Sequence, residues 1–99
     1  MIKKRFFKTK PDCEVSFEFT SETGSHVDLV CDANGWEPVE MKKNKGGRFR
    51  TKMRFPKESV VQFRYLVDST HWHNDDEADS FELNRFGQKN SVLEITPQA

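Results

Sequence analysis

The sequence predicts an all-β protein, an immunoglobulin-like antiparallel β-sandwich of about seven strands. Three observations lead there. Short runs alternate apolar and polar residues with a period of two. Clusters of Gly, Asn, Asp, Pro and Ser separate those runs at hairpin spacing. No window sustains a helical period. Ninety-nine residues suit one domain with a core large enough to stand without staples.

Residues 1–12 are basic and carry Phe6 and Phe7, and they read as an edge strand or a mobile arm. The sandwich proper spans 13–97. Its first strand places Cys13, Val15, Phe17 and Phe19 on one face. Ser21 to Ser25 links it to a run in which Val27, Leu29 and Cys31 alternate. Asn34-Gly35 is a strong turn dipeptide. A strand near Val39 to Lys43 leads into the Gly46-Gly47 hairpin. The next strand turns Phe49, Thr51, Met53 and Phe55 inward and Arg48, Arg50, Lys52 and Arg54 outward. After the turn at Pro56 come Val61, Phe63, Tyr65 and Val67 inward, with Gln62 and Arg64 on the opposite face. Asp75 to Phe86 reads as a long loop, a length often tied to function. Leu93 and Ile95 mark the final strand.

Sixteen Lys and Arg balance sixteen Asp and Glu, so no net field draws the chain to nucleic acid or membrane. Charge is segregated all the same: residues 41–57 carry eight cations and no acid, while 65–84 carry six acids and no Lys or Arg. The basic strand could track a phosphate backbone, but parity sends Phe49 and Phe55 to the other face, away from any stacked base. It reads as a charged outer face that discourages edge pairing. The absence of a long apolar run and of a signal-peptide h-region leads to a cytoplasmic expectation. Cys13 and Cys31 are then expected as reduced, buried thiols.

Catalytic patterns are absent. No Ser or Cys stands in a nucleophile turn. His71 and His73 could approach a metal with Asp75 or Asp76, but such clusters usually occupy solvated loops, and no metal or cofactor is expected.

Both tryptophans lie in polar, turn-like sequence: Trp36 closes Cys-Asp-Ala-Asn-Gly-Trp, and Trp72 lies in Ser-Thr-His-Trp-His-Asn-Asp. A flat ring presented from a turn can stack on a ligand. A pyranose suits such a ring, because it has apolar C–H faces and a rim of hydroxyls.

Several segments together resemble a known family. They are Val27 to Trp36, Met41, Gly47-Arg-Phe49, Phe55-Pro56, Val61 to Asp68, Trp72, and Asn84 to Val92. In order and spacing they resemble the glycogen-binding, isoamylase N-terminal type of carbohydrate-binding module, family 48. That family includes the glycogen-binding domain of the AMP-activated kinase β subunit. The resemblance covers nearly the whole chain. It implies an early-set immunoglobulin-like sandwich that binds α-1,4-linked glucan without catalysis.

The resemblance also implies site residues. Trp36 and Trp72 would be stacking platforms. Arg64 falls where the family commonly has a sugar-binding Lys, and Asn90 where an Asn bonds glucose hydroxyls. Phe86 falls where a Leu threads against a curved glucan, and Gln88 where a Thr assists. The chain departs from the pattern at Cys31-Asp-Ala-Asn34, where the family has Gly-Asp-Phe-Asn, and at Ser69, where it has Gly. Thr70 stands as an added residue before Trp72. The implied partners are an α-glucan and a separate glucan-metabolising enzyme or regulatory protein. The alternative is a sandwich for protein–protein contact that has lost glucan binding, using the basic strand or the Phe6-Phe7 arm.

Overall fold

Alternation of apolar residues along the strands builds two antiparallel sheets whose inner faces share one core. The computed structural model describes residues 1–22 and 24–97. Thr23, in the expected link between two strands, lies outside them. The strands are β1 (Ile2–Phe6), β2 (Asp12–Thr20), β3 (Val27–Cys31), β4 (Val39–Glu40), β5 (Lys42–Lys43), β6 (Arg48–Pro56), β7 (Ser59–Val67), β8 (His71–His73), β9 (Ser80–Leu83) and β10 (Lys89–Ile95). One sheet has four strands in the order β1-β2-β6-β5. The other has six, in the order β4-β3-β7-β10-β9, with β8 also paired to β7. The architecture is the all-β sandwich, with ten strands among the described residues rather than about seven.

The core is aromatic. Phe17 of β2 sits edge-on to Phe55 at 6.3 Å and to Phe63 at 5.2 Å, which joins the two sheets. Phe49, Leu29, Leu93 and Ile95 are buried around them. Tyr65 is buried as well, and its hydroxyl donates to Asp75 Oδ2 at 2.7 Å. Burial, aided by that carboxylate, pushes the phenol far above its usual pKa. No helix is long and apolar enough to cross a membrane among the described residues.

The extra strands arise where sequence pattern is weakest. The expected strand over 39–43 is two short pieces in different sheets: β4 pairs with β3, and β5 pairs with β6. Met41 lies between them, buried in the core, and its N–H donates to Val27 O at 2.9 Å. One buried side chain thus turns the chain from one sheet to the other. The expected loop over 75–86 contains β9, an edge strand paired to β10. All four of its residues are exposed, so no apolar alternation announces it. β3 also departs from simple alternation, because all five residues are buried. It lies inside its sheet, between β4 and β7, and Asp28 on its outer side is paired to His26 at 2.9 Å.

Candidate functional site

Arg64, on the outward side of β7, forms the floor of a cleft on the six-stranded sheet. Gln62, Arg64 and Leu66 alternate with the buried Val61, Phe63, Tyr65 and Val67. Register then sets their neighbours. Arg64 lies opposite Val30 of β3, and Leu66 opposite Trp72 of β8. Trp72 therefore shares a face with Arg64, and the guanidinium stands over the indole at 4.9 Å from its centroid.

The turn before β8 sets this register. Asp68 and Ser69 both have positive φ, +51° and +59°, and Thr70 N–H donates to Val67 O at 3.1 Å. The Asp68 carboxylate accepts from the N–H groups of Ser25 and His26 and from the Ser25 hydroxyl. Those bonds, the Ser25 N–H foremost, hold its pKa below the ordinary carboxylate value. Thr70 is thus absorbed in a braced turn, and Trp72 still faces Arg64.

Trp36 arrives from the end of β3 through a single 3₁₀ turn, Asp32–Asn34. Asp32 Oδ1 accepts the Gln62 N–H at 3.0 Å, which ties the turn to β7. Gly35 takes φ +73°, and Trp36 itself takes φ +66°. For a bulky non-glycine residue that conformation costs about 1–2 kcal/mol. The backbone holds it because Trp36 N–H donates to Cys31 O at 2.9 Å. The indole is left 42 % exposed, close to the 45 % of Trp72.

The third wall is the β9–β10 loop. Asn84 Oδ1 accepts the N–H groups of Phe86 at 2.9 Å and Gln88 at 3.1 Å. Asn84 N–H in turn donates to Gln88 O at 2.7 Å. Gly87 adopts φ +78°, which closes the loop. Phe86 projects from its tip, and Arg85 lies 5.0 Å from the Phe86 ring centroid.

A chain of amides joins loop to floor. Asn84 Nδ2 donates to Asn90 Oδ1 at 3.3 Å, and Asn90 Nδ2 donates to Gln62 Oε1 at 3.0 Å. Arg64 Nη1 donates to Gln88 Oε1 at 3.0 Å. Burial lowers the Arg64 pKa from its ordinary value, and its Nε–H is buried with no partner among the described residues.

All six residues expected at a site, Trp36, Arg64, Trp72, Phe86, Gln88 and Asn90, line this one cleft of about 680 Å³. Asn84 and Arg85 also line it and were not singled out from sequence. The Asn ahead of a Gly-containing turn was the available signal for Asn84. Asn90 differs from the expectation in one respect. It is only 6 % exposed, and its amide already makes two hydrogen bonds. It retains one N–H and one lone pair for a ligand. The Gln88 amide nitrogen makes no bond among the described residues, so its two N–H donors are free.

The other candidate groups go elsewhere. His73 packs on Phe19 at 5.4 Å, and His71 Nδ1 lies 2.8 Å from the Thr70 hydroxyl. Among the described residues no group of three His, Cys, Asp or Glu side chains is placed to hold a metal ion. Cys13 and Cys31 are free thiols in the core, and burial raises the pKa of both.

No protein-family model matches the chain, and no curated protein matches it by sequence. Solved structures share the fold. One is the enterobactin esterase FES from Shigella flexneri in the presence of 2,3-di-hydroxy-N-benzoyl-serine. Its TM-score is 0.76 at 11 % identity, over 98 % of this chain and 33 % of that one. Another is the ferric enterobactin esterase from Salmonella typhimurium, with a TM-score of 0.74 at 12 % identity, over 98 % of this chain and 35 % of that one. The chain therefore spans about a third of the length of each esterase. At such identity the likeness is one of fold.

Proposed function

We propose that the cleft binds α-1,4-linked glucan, of glycogen or starch type, without catalysis. The observation that carries this reading is the pairing of two half-exposed tryptophans, Trp36 and Trp72, along one cleft with Arg64, Gln88, Asn90 and Phe86. Indole faces suit the apolar faces of glucose, and the amide and guanidinium donors suit its hydroxyls. Covering one exposed ring face stabilises the complex by roughly 2 kcal/mol. Two rings and a few hydrogen bonds of about 1 kcal/mol each, less the cost of association, suit a micromolar to millimolar binder.

The cleft chemistry also favours binding over turnover. None of its lining residues carries a carboxylate, imidazole, thiol or hydroxyl. General acid–base and nucleophilic steps lack their usual groups there. Buried, unpaired thiols suit a reducing compartment such as the cytoplasm.

The test is migration through a native gel cast with and without glycogen. Wild type should be retarded, and Trp36→Ala and Trp72→Ala should run freely at unchanged melting temperature. Unretarded wild type would end the glucan reading and favour the protein-contact alternative. Equal retardation of all three would move the site away from the tryptophans.

A further inference from the structure

The outer face of the four-stranded sheet carries a ladder of cross-strand ion pairs that is interrupted at Ser16. Outward positions of β2 are Asp12, Glu14, Ser16, Glu18 and Thr20, and β6 opposes them with Pro56, Arg54, Lys52, Arg50 and Arg48. Arg50 Nε lies 2.8 Å from Glu18. Arg54 reaches Asp12 at 3.5 Å and Glu14 at 3.9 Å, and Lys52 reaches Glu14 at 3.9 Å. Between Asp12 and Glu18, Ser16 is the one uncharged residue of the outward row, and Thr20 ends that row opposite Arg48. Register puts Lys3 of β1 on one side of it and Lys52 of β6 on the other. Lys42, opposite Arg50, adds a further cation.

Among the described residues, neither Lys3 nor Lys42 lies within ion-pair distance of an acid. These side chains border a trough of about 470 Å³ that also reaches Asn44. Four cations line it against one acid, Glu18, which is committed to Arg50. Its size falls within the range of small-ligand sites, about 300–1,000 Å³.

We propose that this trough is an anion site for a phosphate monoester, with the phosphoryl group seated over Ser16. Flanking strands stand about 4.8 Å from β2, so Lys3 and Lys52 rise from backbones about 10 Å apart with only a short side chain between them. A tetrahedral dianion fills that gap. It receives the Ser16 hydroxyl from below and an ammonium from each side, and so takes the place of the missing acid. Charge-assisted hydrogen bonds of this kind are the stronger class. The organic part of the ester lies along the trough toward Lys42 and Asn44. This site is on the opposite sheet from the tryptophan cleft and does not depend on what that cleft binds.

The test is an amide NMR titration at constant ionic strength, with inorganic phosphate and glycerol 2-phosphate as separate probes. Saturable shifts centred on Lys3, Ser16 and Lys52 are expected, at millimolar affinity. The ester should bind no more weakly than inorganic phosphate, and exclusion of the ester would overturn the monoester assignment. Ser16→Glu should weaken binding at least about tenfold by supplying the missing acid, with a melting temperature no lower than wild type. Lys3→Gln combined with Lys52→Gln should cause the same loss while leaving Ser16 in place. Shifts spread evenly along the basic strands, or binding indifferent to both sets of changes, would overturn the proposal and leave a general cationic surface. A duplex DNA oligonucleotide that bound far more tightly and ignored Ser16→Glu would do the same.

Discussion

The two sheets share a core but present opposite chemistry to solvent. The four-stranded sheet meets water with charges that neutralise one another across strands: Asp12, Glu14 and Glu18 against Arg50, Lys52 and Arg54. The six-stranded sheet meets it with indole rings, amides and one half-buried guanidinium. A ladder of opposite charges is already satisfied, so it leaves little for a ligand except where a rung is missing. The amide and aromatic cleft is only partly satisfied. The Gln88 amide and the faces of Trp36 and Trp72 retain capacity. On the proposed reading, a sheet becomes a binding surface through what its outward residues leave unpaired, more than through charge.

The largest effect should come from removing what the two faces share. Phe17→Ala deletes the ring that contacts both Phe55 and Phe63 and should cost about 3–5 kcal/mol in urea unfolding. Both faces should fail together. Arg64→Ala should act on one face alone. It removes the cation over Trp72 and the donor to Gln88, worth about 1.5–3 kcal/mol if the ligand shares them. Glycogen affinity from gel retardation should fall about ten- to a hundredfold, while Arg54→Ala leaves it unchanged. Unaltered retardation in Arg64→Ala would erase the distinction between the faces.

Trp36→Gly separates binding from stability. It deletes a stacking ring and relieves a left-handed backbone, so retardation should be lost while thermal stability stays level or rises by up to about 1 kcal/mol. On the ladder, Arg54→Ala should change stability by no more than about 1 kcal/mol, and added salt should shrink that effect.

Acid should sharpen the contrast last. Asp79 is raised by its own burial, but the Lys4 ammonium and the Glu94 N–H outweigh this and leave its pKa below the ordinary value. Asp68 is lowered as well, chiefly by the Ser25 N–H. Depressed carboxylates stabilise the fold above the unfolded-state pKa of about 4 and lose that contribution as pH falls through the lower folded value. Melting temperature should therefore drop below about pH 4, and Asp68→Asn should flatten part of that drop.

Much of the fold was legible because inward parity is local. Phe49 and Phe55 point into the core, and Arg48, Arg50, Lys52 and Arg54 point out, as period two requires. β9 was illegible because all four of its residues are exposed. The split at Met41 was illegible because a change of sheet leaves the alternation intact on either side. The site residues were named through a resemblance of segments, and their gathering into one cleft is a matter of geometry. Arg85 had no signal in the sequence, and Asn84 had only its place ahead of a Gly-containing turn. Their place in the cleft follows from lying beside Phe86 and Asn90 in the folded loop.

The chain alone determined which residues face inward, where the turns fall, and that two tryptophans lie outside the apolar runs. Hydrophobic alternation and turn propensity act over a few residues, so a linear reading can find them. Only the tertiary structure decided that Trp36 and Trp72 share a cleft, that Arg64 already covers one indole face, and that Ser16 interrupts a row of ion pairs. Each of those depends on cross-strand register, and register is settled by the packing of both sheets around the buried Phe17, Phe55 and Phe63.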